Sequence, residues 1–490
     1  MTVATPLTEP DAGPSTGYRL RWAALFVILA AEVMDLLDAL ITSVAGPTIV
    51  RDLGGGSTLI QWLSAAYTIA MASGLLLGGR LGDIFGRRRM FLIGMAGFTA
   101  MSLACALSQD PAMLLTFRVA QGLIGAVMLP QGLGLIKEMF PPSEIAAAFG
   151  AFGPIMGLSA VGGPILAGWL VDLDLFHWAW RTIFAINVPI GVLALLFGLR
   201  VLPRSRPDRG IRVDLTSVVV ASAAMVMLIY PLIQGQELGW PAWTFALMAG
   251  GLAMFGVFAV LERRRDRRGE PTLITPTLFG KRAFTAGLAT GMTLFGSLLG
   301  LSVVFTLFVQ VGLGYSPLKA GLAGIAQAIG MVVGFGVAQP LNARLGGRRL
   351  MHIGEGVAAL GFVGFVLTLH LAGDSVGIGA MSPALGVMGI GMGLTLAPFF
   401  DIVLAGVEEQ ESGSASGALS AVQQLGGAFG IAVLGTMFFH LLDDAHAGTR
   451  IAAFRHAASG AIWLGAGLLA AAFVLTFLLP PRAREEDAGH

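Results

Sequence analysis

Long apolar runs, broken by short stretches of charge, proline or glycine, recur along the whole chain. A helix needs roughly 20 apolar residues to cross a hydrocarbon core of about 30 Å. Runs of that size fall near 22–46, 58–78, 90–108, 112–136, 144–170, 183–202, 214–234, 243–261, 284–310, 319–341, 350–371, 379–404, 417–440 and 458–479. They predict about 14 transmembrane helices and an all-α integral membrane protein. The longest polar stretch, Glu262 to Arg282, is a connector too short for a soluble domain. Met1 to Gly17 is rich in Pro, Thr and Gly and has no apolar core, so residues 1–21 read as a flexible cytoplasmic tail rather than a cleaved signal. Residues 480–490 read as a second cytoplasmic tail.

Composition narrows the class. Of 490 residues, 55% are hydrophobic and 12% charged, with a mean hydropathy of +0.79. Water-soluble domains carry about 25% charged residues, so neither a soluble domain nor a disordered chain fits. Lys and Arg total 30 against 29 Asp and Glu, which gives no general pull toward nucleic acid. The single cysteine, Cys105, excludes an intrachain disulfide and a thiolate metal cluster, and leaves redox chemistry without support.

Placement of the basic residues sets the expected orientation. Loops on the N-terminal side hold 24 of the 30, the far side has Arg51, Arg181, Lys319, Arg450 and Arg455, and Arg118 lies inside a span. Basic residues favour the cytoplasmic side, so both termini are expected there, in a multi-pass protein of the plasma membrane. The arginine-rich run from Arg263 to Arg268 then reads as a topology signal rather than a nucleic-acid patch.

The chain also repeats itself. Leu81-Gly-Asp-Ile-Phe-Gly-Arg-Arg-Arg89 follows the second run and Leu341-Asn-Ala-Arg-Leu-Gly-Gly-Arg-Arg349 the tenth, 260 residues later, sharing Leu, Gly, Arg and Arg in register. A six-helix half at 22–202 therefore recurs at 283–479, with an inserted helix pair and connectors at 203–282. Two such halves facing a midplane site are a transporter plan.

Charge inside the spans is the chemical signal. Glu32, Asp35 and Asp38 share one half of the first helix, Asp35 about 60° and Asp38 about 120° around it from Glu32. Each ionised acid costs about 2.5–3.5 kcal/mol at the bilayer centre, roughly 8–10 for three. In a dry site at least one is expected to take up a proton, coupled to whatever else binds there. The alternative is placement near the helix end, in water. Arg118 keeps its charge and needs a carboxylate or a carbonyl cage, and helix one is the obvious source. Its alternative role is a buried ion pair that only fixes packing. Gln61, Trp62, Tyr67, Asn187, Phe308, Gln310, Gln327 and Gln423 are candidates to line a cavity for apolar or cationic compounds, or else to pack between helices. Glu355 and Asp401 fall near helix ends and are expected to meet solvent.

Several motifs together resemble the major facilitator superfamily, specifically its 14-helix drug:proton antiporter branch. Gly79-Arg-Leu-Gly-Asp-Ile-Phe-Gly-Arg-Arg-Arg89 is similar to the signature loop between helices two and three, and Arg118-Val-Ala-Gln-Gly-Leu-Ile-Gly125 to the helix-four motif. The stretch Gly157 to Gly168, with Gly163-Pro164, resembles the antiporter motif of helix five. Leu37-Asp-Ala-Leu-Ile-Thr-Ser-Val-Ala-Gly-Pro47 resembles the helix-one motif, with Ser43 and Gly46 where Asn and Leu are usual. Trp180 to Gly191 and Gly314-Tyr-Ser316 are further matches.

The resemblance implies two six-helix halves with two inserted helices, working as a monomer. It implies that Arg118 takes part in proton coupling, and that Gly79, Asp83, Gly86, Arg87 and Arg88 form a gating loop latching the halves in the outward-facing state. It also implies that Gly157, Gly163, Pro164 and Gly168 form an antiporter hinge and seal. From the residues alone, Asp83 is equally a solvated surface ion pair, and the helix-five glycines a packing feature. The second copy has Ala343 in place of Asp83, so only the first loop is expected to latch.

Enzyme and pump signatures find no support: no lysine sits in G-x-x-x-x-G-K-[ST], no H-E-x-x-H occurs, and the two G-x-S-x-G matches, Gly13 to Gly17 and Gly373 to Gly377, fall in the N-terminal tail and between two apolar helical runs, not at the strand-to-helix turn of a nucleophile elbow. The expected function is a proton-coupled exporter of amphipathic or cationic drug-like compounds, not an enzyme, with protons as the coupling ion and no other cofactor or metal. Its partners are the small-molecule substrate and the lipid bilayer, and no nucleic acid. Alternatives are export of an endogenous metabolite, antibiotic or lipid by the same route, or a transport-inactive sensor of the same fold, against which the costly intramembrane acids argue.

Overall fold

The computed structural model describes residues 18–481 apart from 55, 142–143, 152–158, 160–161, 164–165, 167–168, 171–177, 179, 205–214, 236–237, 271, 409–410 and 444–448, with side chains also set aside at 39–47, 56–58, 60, 61, 64, 146, 149, 150, 215, 317, 318 and 412. Among the described residues all regular structure is helical. Hydrocarbon offers no partner to a backbone N–H or C=O, so a helix that bonds its own backbone is the solution for each apolar run.

The first half holds α1 (Arg21–Leu53), α2 (Gly56–Phe85), α3 (Arg87–Ala106), α4 (Pro111–Met139), the short α5 (Ile145–Gly150), and α6 (Arg181–Ala185) running on into α7 (Asn187–Val201). The inserted pair is α8 (Leu215–Gln234) and α9 (Ala242–Arg267), and a connector carries α10 (Thr277–Gly280). The second half holds α11 (Arg282–Thr306), ending in a π-turn at Leu307–Gly312, then α12 (Pro317–Leu345), α13 (Gly347–Ala372), α14 (Ile378–Ala405), α15 (Ser412–Asp443) and α16 (Arg450–Thr476).

Eleven helical stretches among the described residues are long and apolar enough to cross a membrane. With 33 and 30 residues, α1 and α2 have the length to span as well. About half of the fifth expected span, 144–170, lies outside the described residues, including Gly157, Pro164 and Gly168; Gly163 is described, helical and buried.

Local chemistry marks the helix ends. Asp110 accepts from the Met113 amide at 2.8 Å ahead of Pro111, and Thr449 accepts from the Ala452 amide at 3.1 Å, each satisfying a free donor of the first turn. The α2–α3 and α12–α13 junctions turn at Gly86 (φ 90°) and Gly346 (φ 80°), a left-handed backbone that glycine adopts without steric cost. These junctions stand 260 residues apart, so the repeat read from the two loops extends to the backbone.

Helices approach closely where side chains are missing. A Cβ built on Gly78 of α2 would lie 1.9 Å from the Ala126 carbonyl oxygen of α4, and one on Gly389 of α14 would lie 2.0 Å from that of Gln327 on α12. Such contacts supply the packing that hydrophobicity cannot supply between helices in lipid. Large side chains on the outer face, such as Phe26 and Leu371, are exposed to the surroundings. The inserted pair leans on both halves: Ser222 donates to the Ser73 carbonyl of α2 at 2.7 Å, and the Trp240 indole to Thr436 of α15 at 3.1 Å.

Candidate transport site

The acids predicted on α1 meet the arginine predicted on α4. Asp38 and Arg118 form a fully buried ion pair, their side chains 1% and 0% exposed. The Arg118 guanidinium also donates from Nε to the Leu63 carbonyl of α2 at 3.0 Å and from Nη1 to Gln121 Oε1 at 2.9 Å. Gln121 lies one turn along α4 and returns its amide to Asp38 Oδ1 at 3.0 Å and to Ser102 of α3 at 2.9 Å. Asn187, at the start of α7, donates to Asp38 at 3.3 Å and to Ser102 at 3.4 Å. Five helices thus converge on one carboxylate and one guanidinium, as a buried charge pair requires to offset its desolvation.

Two atoms in this network remain unsatisfied: Arg118 Nη2 and Asn187 Oδ1 are buried without a partner among the described residues. The Tyr67 ring lies 4.3 Å from the Arg118 guanidinium and Phe184 5.8 Å, so aromatic faces cover part of the cation. Asp35, one turn before Asp38, accepts a short hydrogen bond from the Tyr67 hydroxyl. Glu32, one turn further back, is half-buried beside Gly132 of α4, on the same side of α1.

At the arginine-rich end, a second charge cluster joins the halves. Asp83 pairs with Arg87 at 3.0 Å and Arg80 at 3.5 Å, and Arg87 with Glu138 of α4 at 2.5 Å. The Asp83 carboxylate rests against Gly413 in the first turn of α15: a Cβ there would fall 2.3 Å from either oxygen. A carboxylate at a helix N-terminus faces free amides and the positive end of the dipole. Lys137 of α4 donates to the Leu404 carbonyl at 2.9 Å and, more closely, to that of Val407, covering the C-terminal carbonyls of α14. Arg80 reaches the connector at the Thr272 and Leu273 carbonyls, 2.6 and 2.8 Å away.

That connector is fixed in turn to the loop ahead of α15. Glu411 accepts from Thr277 at 2.5 Å and more closely from Lys281. Burial alone would raise the Glu411 carboxyl, but these donors and the Glu408 amide outweigh it and hold it below the usual carboxylate value. On the opposite end, the Trp180 indole and Arg181 hold Asp52 low, at 2.9 and 2.6 Å.

The structure therefore brings together Asp35, Asp38, Tyr67, Arg118 and Asn187, and separately Gly79, Asp83, Gly86 and Arg87, with Arg88 donating to the Leu199 carbonyl at 2.5 Å. Trp62 stacks on Tyr230 of the inserted pair at 5.9 Å, and the Gln61 side chain lies outside the described residues. Gln310, Gln327 and Gln423 are half-buried in the second half.

Phe308, in the π-turn, is fully buried in the hydrophobic core. One expectation is corrected. Glu355 does not meet solvent, because α16 covers it, and Thr476 donates to it at 2.8 Å. Asp401 is partly exposed. Gln121, Ser102 and Lys137 escaped the sequence reading as site residues. For Gln121 the signal was present, since a polar residue three positions after an intramembrane arginine shares its helix face.

The profile of the Major Facilitator Superfamily matches residues 27–431. A "Probable actinorhodin transporter" of Streptomyces coelicolor is 47% identical over 433 residues, covering 88% of this chain and 75% of the relative. The "Tetracenomycin C resistance and export protein" of Streptomyces glaucescens is 32% identical over 434 residues, covering 88% and 78%. Among solved structures, the proton:xylose symporter XylE superposes with a TM-score of 0.62 at 16% identity over 91% of this chain and 94% of that one, which is a likeness of fold. On the match along most of its length, this multi-pass membrane protein belongs to the Major Facilitator Superfamily of transporters.

Proposed function

We propose that the protein is a proton-coupled exporter that moves amphipathic or cationic small molecules out of the cytoplasm by alternating access, as a monomer with both termini cytoplasmic. The observation that carries this reading is the Asp38–Arg118 pair, sealed among five helices beside Asp35 and Tyr67. A proton arriving from outside neutralises Asp35 or Asp38. The arginine then loses part of its counter-charge, and its unbonded Nη2 has no other described partner to turn to. The pair exists in two arrangements, closed and protonated, and cargo or proton selects between them. One charge moved through about 150 mV releases roughly 3.5 kcal/mol, which sustains a cargo gradient of about 300-fold.

Asp83, Arg87 and Lys137 hold the cytoplasmic end shut in this reading, so the outer side is the one free to open. Relatives that carry the names of actinorhodin and tetracenomycin C favour an antibiotic as cargo over a sugar or an inorganic ion.

The test is flux driven by an imposed pH gradient in proteoliposomes over a panel of such compounds. Asp35→Asn, Asp38→Asn, Glu32→Gln and Arg118→Ala are run beside the parent. At least Asp38→Asn and Arg118→Ala are expected to lose gradient-driven transport, and equal transport by all four overturns the proposal.

A further inference from the structure

The inserted pair and the two halves enclose a cavity of about 600 Å³ that the Asp38–Arg118 network does not touch. Its walls are apolar, with Leu76 on α2, Met225 on α8, Phe258 on α9, Leu288 on α11 and Leu425 on α15. Among the described residues two charged ones line it, Glu262 and Arg263, and they differ in state. Glu262 is buried and its carboxylate is engaged: Ser217 donates to it at 2.6 Å, the Ile274 amide at 3.0 Å, and Arg80 lies within electrostatic reach. Arg263 is exposed and makes no hydrogen bond or ion pair with any described residue. It opens the run that continues through Arg264, Arg265, Arg267 and Arg268. The outer face of α9 beside the cavity, at Val257 and Val260, is apolar and exposed, as is Phe279 on its rim.

We propose that this cavity binds an anionic phospholipid of the cytoplasmic leaflet, one acyl chain filling the apolar chamber and the phosphate pairing with Arg263. The uncommitted charge at the site is positive, so an anionic head is attracted there while a cationic amphiphile is repelled by the arginine run. A chamber of this volume suits one long apolar chain, and the lipid-facing surface of α9 gives it a path from the bilayer. The assignment to the cytoplasmic leaflet rests on the orientation in the reading above. Because the walls come from α2 on one side and α11 and α15 on the other, the bound lipid braces the same end of the molecule that Asp83 and Gly413 join.

Native mass spectrometry of the full chain released from detergent tests this, with palmitoyl-oleoyl phosphatidylglycerol and palmitoyl-oleoyl phosphatidylcholine as probes. The parent is expected to keep one phosphatidylglycerol in preference to phosphatidylcholine. Arg263→Gln weakens that retention about fivefold, the worth of one basic residue near an anionic surface. Ala259→Trp, at an exposed position on the cavity wall, lowers retention of both lipids by filling the chamber, whereas Arg267→Gln, outside it, leaves retention unchanged. Equal retention of the two lipids by the parent overturns the proposal. So does parental retention by both Arg263→Gln and Ala259→Trp, or displacement of phosphatidylglycerol by free glycerol phosphate, which would mark a site for a soluble anion. Binding is read without flux, so its failure leaves the exporter reading standing, and a transport-dead protein that keeps its lipid leaves this site standing.

Discussion

The two copies of the helix-junction loop share one set of contacts and differ in another. Gly86 and Gly346 make the same left-handed turn. Two residues later, Arg88 donates to the Leu199 carbonyl at 2.5 Å and Arg348 to the Leu479 carbonyl at 3.1 Å, so each reaches the end of the last helix of its own half. The charged residues around them are not shared. Arg80, Asp83 and Arg87 of the first loop correspond, 260 residues on, to Pro340, Ala343 and Gly347. Asp83 is buried against α15 across the boundary, whereas Ala343 is exposed. What is duplicated holds a half together, and what is unique to the first copy reaches the other half.

The Asp38–Arg118 network follows the same division and gives the largest expected effect. Arg118, with Asp38, belongs wholly to the first half. Arg118→Ala leaves a buried carboxylate without its cation, a loss of about 3–5 kcal/mol. Thermal unfolding in detergent should register it, along with abolished gradient-driven flux. Arg118→Lys restores charge but loses the bidentate reach to Leu63 and Gln121, so it should recover part of the stability and little of the flux. Full flux in either variant would detach the network from transport.

Asp83→Asn comes next. It replaces charge-assisted bonds to two arginines, each worth about 1.5–3 kcal/mol to a charged partner, with weaker neutral ones. A net shift of about 2 kcal/mol changes the ratio of open to closed molecules at that end roughly thirtyfold. Labelling of a cysteine introduced at Ser414, which is buried in the first turn of α15 next to Gly413, should accelerate in the Asp83→Asn background. Unchanged labelling would reduce the cluster to a packing feature.

Much of this division was legible in the amino-acid order. Runs of about 20 apolar residues fix helix number and direction whatever the packing, and a lone arginine within such a run must find an acid. Neutral polar residues leave no comparable mark, which is why Ser102 passed unnoticed although two side chains bond to it. Burial of Glu355 depends on α16, more than a hundred residues away in sequence, and no local pattern reports which distant helix will cover a position. The cavity beside α9 is likewise a product of how six elements meet, and most of its lining residues are ordinary members of their apolar runs.

Arg88→Ala and Arg348→Ala sharpen the duplicated part. Both side chains are partly exposed and bond a terminal carbonyl, so each variant should lose about 0.5–1 kcal/mol of thermal stability, by a similar amount, with flux retained. A large loss of flux in one variant and not in the other would show that the shared arginines have also diverged in role.

The smallest effect is expected from restoring the missing acid. Ala343→Asp places a carboxylate at the position that corresponds to Asp83, but the position is exposed, and Pro340 and Gly347 stand where Arg80 and Arg87 would grip it. Arg344 beside it is exposed as well, and a solvated pair of that kind contributes about 0–1 kcal/mol, less in salt. Melting temperature, flux and the labelling rate at Ser414→Cys should all stay near the parent values. The double substitution Ala343→Asp with Gly347→Arg supplies a partner one helical turn away, yet still finds no α15 N-terminus opposite, so it too should leave flux unchanged. If either variant slowed transport, the second junction would have to approach the first half at some stage of the cycle, and the joining role would no longer belong to the first copy alone.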